Sequence, residues 1–74
     1  MIYLKLFVTE NDNTKRIINV MMIRVAYDAK EIHIWDYNNN HHVVIVEDER
    51  YAESCISNLF ENDKASIKGV FLTK

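Results

Sequence analysis

HHVVIVEDERYAESCISNLF, residues 41–60, changes its repeat part-way along, and that change decides the fold class. His41–Val46 reads as a strand whose apolar residues Val43–Val46 reach both faces. From Asp48 onward Ala52, Cys55, Ile56, Leu59 and Phe60 recur at helical spacing, with Glu53, Ser54, Ser57, Asn58 and Glu61 on the opposite side. The spacing predicts one amphipathic helix of three to four turns. Asp48 is a suitable N-cap, Glu49 suits the positive end of the helix dipole, and Lys64 lies near the negative end.

Working back toward the N-terminus, Asn38-Asn39-Asn40 is the natural hairpin loop, because asparagine enters the positive-φ region more readily than other side chains. It joins the fourth strand to a third at Glu31–Tyr37. A three-residue loop would set Tyr37 against His41, Trp35 against Val43, Ile34 against Val44 and Ile32 against Val46. Before the short connection Asp28-Ala29-Lys30 lies a long second strand, Ile17–Tyr27. In it Ile17, Met21, Ile23 and Val25 share one parity and Ile18, Val20 and Met22 the other, so both faces look apolar. Glu10–Thr14 has turn chemistry. The first strand is marked by Ile2, Leu4, Leu6 and Val8 alternating with Tyr3, Lys5 and Phe7.

Beyond the helix, Ile67–Leu72 forms a short last strand in which Gly69 marks a bulge or a close backbone approach. The expectation is therefore an α+β fold, an antiparallel β-meander of about four strands followed by one amphipathic helix and a short C-terminal strand (ββββαβ). If the helix returns along the sheet, the last strand runs antiparallel to the first and pairs beside it. The alternative places it parallel to the fourth through a right-handed crossover.

Seventy-four residues make one domain, 1–74, with a thin stability margin, since chains this short bury only about 60% of their unfolded surface. The single cysteine, Cys55, excludes an internal disulfide. Met1–Glu10 has neither a basic start nor a small-residue cleavage site, so a reduced, cytoplasmic setting is expected. No apolar run exceeds four residues, as at Val43–Val46, far short of the roughly 20 residues of a membrane span. Net charge is −2 with both signs interspersed, which gives no whole-domain field toward nucleic acid or an anionic membrane. Abundant isoleucine, asparagine and lysine suit an AT-rich genome, such as that of a low-GC bacterium or its mobile elements.

One helix covers two or three strands of a single face, yet apolar residues occupy both faces of four strands. Either the sheet curls around its own core, or another chain covers the second face. The residues at issue are Tyr3, Phe7, Trp35, Tyr37, Val43 and Ile45, which together exceed an ordinary exposed patch. Adding His33, they form the candidate interface, and tyrosine and tryptophan are enriched at binding hot spots.

Catalytic, metal and cofactor constellations are weak by comparison. His33, His41 and His42 are close in sequence, but the three-residue-loop register separates His33 from His41 by four rows, about 13 Å, and the neighbours His41 and His42 point to opposite faces. An Asp36–His42 cross-strand pair explains one of them. Cys55 shares its helical face with Ile56 and Leu59 and reads as a buried thiol. Ser54, Ser57 and Ser66 have no catalytic motif around them, and one glycine cannot build a phosphate loop. Glu10-Asn11-Asp12-Asn13 lacks the glycine and distal glutamate of a calcium loop.

Accordingly no enzyme, cofactor or metal is expected. The reading is a protein-interaction module, with self-association as a homodimer one route, of the kind found among small accessory proteins of bacteriophages and plasmids that bind or inhibit a host protein. The rival reading is single-stranded nucleic-acid binding, with Tyr3, Phe7, Trp35 and Tyr37 stacking on bases and Lys5, Arg16, Arg24 and Lys30 meeting phosphates.

Overall fold

The computed structural model describes residues 3–26, 28 and 30–73; the expected contributions of Ile2, Tyr27 and Ala29 lie outside these residues. The chain runs β1 (Leu4–Thr9), β2 (Lys15–Ala26), β3 (Glu31–Asp36), β4 (His41–Ile45), α1 (Glu49–Asn62), β5 (Lys64–Lys68) and β6 (Val70–Thr73). This is the expected α+β order, with the last strand divided in two at Gly69.

The division closes the fold. The sheet order is β5-β1-β2-β3-β4-β6, so the two edge strands are consecutive segments of chain separated by a single residue. β5 pairs with β1 from Lys5↔Lys64 to Thr9↔Lys68, and β6 pairs with β4 from Ile45↔Val70 to His42↔Thr73. One bent strand thus joins both edges, and the sheet curls into a small barrel. At the bend the Gly69 N–H donates to the Thr9 carbonyl at 3.1 Å. A methyl on Gly69 would overlap the carbonyl oxygen of Ile45 and press on Val44. Close approach is what requires glycine here.

Strand β5 runs parallel to β1, not antiparallel as expected. The expectation assumed that the helix travels back along the sheet. Instead α1 leaves the C-terminal end of β4 and enters the N-terminal end of β5, which is antiparallel to β4 through β1, β2 and β3. The helix therefore starts and finishes on the same side of the barrel.

The long second strand solves its two-faced pattern with a bulge. Pairing with β3 steps from Val20↔Asp36 to Met22↔Trp35, so Met21 is an extra residue. The parity flips there. Ile18 and Val20 before the bulge face inward with Ile23 and Val25 after it, while Ile17, Met21 and Met22 are left exposed. The N-terminal half of β2 pairs with β1 and its C-terminal half with β3, the stagger that closing a small barrel demands.

Leu6, Val8, Ile32, Ile34 and Val44 are fully buried inside, with Ala65 and Ile67 from β5. The helix seats only the stripe Ala52, Cys55 and Leu59 on this core. Ile56 is half-buried and Phe60 is 61% exposed, so the broader apolar stripe expected from spacing is corrected to a narrow one. Phe60 lies about 100° around the helix from Leu59, beyond the reach of the barrel. Asp48 caps the helix, its Oδ1 accepting from the Arg50 N–H at 2.9 Å. The chain leaves through Asp63 at φ 63°, and Lys64 begins β5 instead of serving the last helical turn. Among the described residues no helix is long and apolar enough to cross a membrane.

Candidate functional site

The hairpin between β3 and β4 sets the outer surface. Between the two strands the Asp36 N–H donates to the Asn40 carbonyl at 3.1 Å, which leaves Tyr37–Asn39 as the loop, with Asn39 at φ 63°. Asp36 stands opposite Asn40, so the three-residue loop is Tyr37–Asn39 instead of Asn38–Asn40, and that one-residue displacement moves the register by two: Trp35 faces His41, Ile34 faces His42, His33 faces Val43 and Ile32 faces Val44. A two-residue shift preserves the faces, so Trp35 and His33 still point outward. It changes the neighbours completely. His33 and His41, expected about 13 Å apart, become diagonal partners with Nδ1 of His33 2.8 Å from Nε2 of His41.

The loop is held by Asp36. Its Oδ1 accepts the backbone N–H groups of Asn38 at 2.8 Å and Asn40 at 3.0 Å, while Oδ2 lies 2.9 Å from Nε2 of His42. The His42 hydrogen bond, opposed by desolvation and helped by the Asn40 and Asn38 amides, holds the Asp36 carboxyl down to about 2. The expected Asp36–His42 pair therefore exists, on the diagonal and facing inward. Beside it is a cavity of about 260 Å³ lined by Arg16, Asn19, Tyr37 and Phe71 among others. Its charges are committed: Arg16 bonds Glu10 at 3.0 Å and lies 4.9 Å over the Phe71 ring.

Outside the barrel, β6 completes a surface that β3 and β4 begin. Cross-strand rows read His33, Val43, Leu72 and then Glu31, Ile45, Val70. Val43 is 0% exposed although it lies outside the internal core, whereas Ile45, Val70 and Leu72 are 37%, 43% and 44% exposed around it. Trp35 adjoins this strip, its ring parallel to that of His41 within 2° at 4.5 Å between centroids. His33 is only 9% exposed, and its Nε2 lies 3.7 Å from Oε1 of Glu31.

The candidate interface residues thus divide. His33, Trp35, Val43 and Ile45 form one surface on β3 and β4. Tyr3 and Tyr37 form an edge-to-face pair at 4.9 Å, both exposed. Phe7 is half-buried on the outer side of β1, between Ile17 and Ser66. Sequence reasoning missed Val70 and Leu72. Their alternation after Gly69 was readable, but nothing local indicates that β6 lies against β4.

Burial pushes the Cys55 thiol up to about 11, so it is neutral at physiological pH. Among the described residues no set of three or more His, Cys, Asp or Glu side chains is arranged to hold a metal. No protein family, no curated protein and no solved structure matches this chain. The functional reading accordingly rests on the surface itself.

Proposed function

We propose that this chain is a non-enzymatic protein-binding module whose contact surface is the outer face of β3, β4 and β6. One observation carries the reading. Ile45, Val70 and Leu72, exposed around the fully buried Val43, form with Trp35 an apolar and aromatic strip that the internal core does not use. A central apolar cluster beside an aromatic anchor is the usual anatomy of a protein interface. The partner is another protein, in the manner of small phage or plasmid accessory proteins acting on a host protein, or a second copy of the chain.

The test compares wild type with Leu72→Asp, a change on the exposed strip. The variant is expected to keep the wild-type thermal midpoint within a few degrees while losing the partner, or the dimer in sedimentation, that wild type forms. Undiminished binding by the variant would overturn the assignment. Binding of single-stranded oligonucleotides with a steep salt dependence would favour the nucleic-acid reading instead.

A further inference from the structure

We propose that the gap between the first half of β2 and β6 is a docking slot for one extended segment of a partner protein, held by strand addition. Strand β3 pairs with β2 only from Val20 onward, so among the described residues Lys15–Asn19 has β1 on one edge and no strand on the other. Likewise β6 pairs with β4 alone. Both bare edges border the cavity of about 260 Å³, which Arg16, Ile17, Ile18 and Asn19 line as consecutive residues, together with Phe71 of β6. Hydrogen-bond parity shows which backbone groups are on offer. The Lys5 N–H bonds the Asp63 carbonyl and the Thr9 carbonyl accepts from Gly69, so Lys5, Phe7 and Thr9 turn toward β5 while Leu4, Leu6 and Val8 turn toward β2. Their partners Val20, Ile18 and Arg16 hold those bonds, which leaves the N–H and C=O groups of Lys15, Ile17 and Asn19 turned away from β1. On the other wall the Val46 N–H bonds the Lys30 carbonyl, so Val43 and Ile45 face β6 and engage Leu72 and Val70. Phe71 and Thr73 therefore turn their backbone groups away from β4, on the same side as the Gly69 N–H that reaches Thr9.

Bare edges of this kind select an extended backbone. Strand β5 shows the contrast, because the Tyr51 hydroxyl of the helix accepts the Lys68 N–H at 3.0 Å. Edge-to-edge pairing with β2 of a second copy does not fit, since that strand carries its own β1 where β6 stands in this slot. The occupant is a lone strand with both edges free, a loop or tail of another protein. At about 3.3 Å per residue the edge from Lys15 to Asn19 takes about five of its residues. Arg16, bonded to Glu10 at 3.0 Å and 4.9 Å over the Phe71 ring, bounds one end, and Asp36, Tyr37 and Asn38 bound the other. Alternate side chains of the segment meet the exposed Ile17 and Tyr37 on one side and Ile18, His42 and Phe71 on the other, so apolar residues at every second position suit the slot. Proline, which lacks the N–H, does not. The slot uses the free edge of β6 and not its outer side chains, and it stands without the contact surface proposed above.

The test pans a phage-displayed library of random heptapeptides against the full chain. The strongest peptide is then synthesised plain and with N-methyl groups on one or the other alternate set of backbone nitrogens. Enrichment of proline-poor sequences with alternating apolar residues is expected, and one methylated set is expected to weaken binding by about three- to tenfold for each hydrogen bond removed. Asn19→Pro takes an N–H from the free edge while leaving the bonds to β1, so it is expected to weaken the plain peptide by a similar factor, with circular dichroism verifying that the variant is folded. Leu72→Asp, on the outer strip, is expected to leave the affinity unchanged. The methylated peptides are measured on wild type, so they decide the matter even if Asn19→Pro does not fold. Failure to enrich any peptide, binding that both methylated sets retain, binding that a folded Asn19→Pro keeps in full, or binding lost in Leu72→Asp would overturn the proposal.

Discussion

Gly69 packs against the carbonyl oxygen of Ile45 while its own N–H bonds the Thr9 carbonyl, so a single residue clamps the ends of β1 and β4 together. Closure of the barrel depends on this contact, because β5 and β6 can reach opposite sheet edges only if the bend passes between them. Gly69→Ala is expected to cost about 1–3 kcal/mol through overpacking. Urea denaturation measures it, and an unchanged midpoint would show that the backbone relaxes freely at the bend.

Leu59 and Phe60 are adjacent on α1 but differ in what they touch. Leu59→Ala is expected to cost about 2–5 kcal/mol, since the side chain is fully buried in the barrel core. Phe60→Ala should cost well under half as much. Thermal unfolding of the two variants compares them directly, and equal losses would contradict the narrow helical stripe.

Asp36 gives stability a defined acid dependence. Its carboxyl lies at about 2 in the folded protein, depressed from 3.8, so its contribution is fully present above about 4 and is lost as pH falls toward 2. The unfolded chain takes up the proton first. In urea titrations across that window the wild-type midpoint should approach that of Asp36→Asn. A gap that stays constant from neutral pH to 2 would contradict the assignment.

Trp35 lies outside the barrel, so Trp35→Ala should leave the protein folded. Lost stacking on His41 predicts about 0.5–1.5 kcal/mol beyond the area term, against the 3–5 kcal/mol typical of a core aromatic. Partner affinity should fall by about 2 kcal/mol or more if the ring is an interface anchor. Chemical denaturation and a binding isotherm on the same variant separate the two effects. A core-sized folding loss would remove Trp35 from the proposed surface.

Periodicity determined the element types and most of their faces without further help. The alternation through Leu4, Leu6 and Val8 and the helical recurrence of Ala52, Cys55 and Leu59 are local, and their buried sides are those the spacing indicated. The Asp48 cap and the close approach at Gly69 were legible for the same reason, since each follows from the chemistry of one residue. Tertiary structure alone decided how far the apolar pattern had to be shared. The bulge at Met21 turns a two-faced strand into one core face, a choice made by pairing with β3 and invisible in β2 itself. Likewise the position of the three-residue hairpin loop, set by Asp36 gathering the amides of Asn38 and Asn40, fixes whether His33 meets His41. The direction of β5 and the position of β6 depend on the path of the helix across the barrel. Closure balances the packing of every strand at once, and no single segment records it.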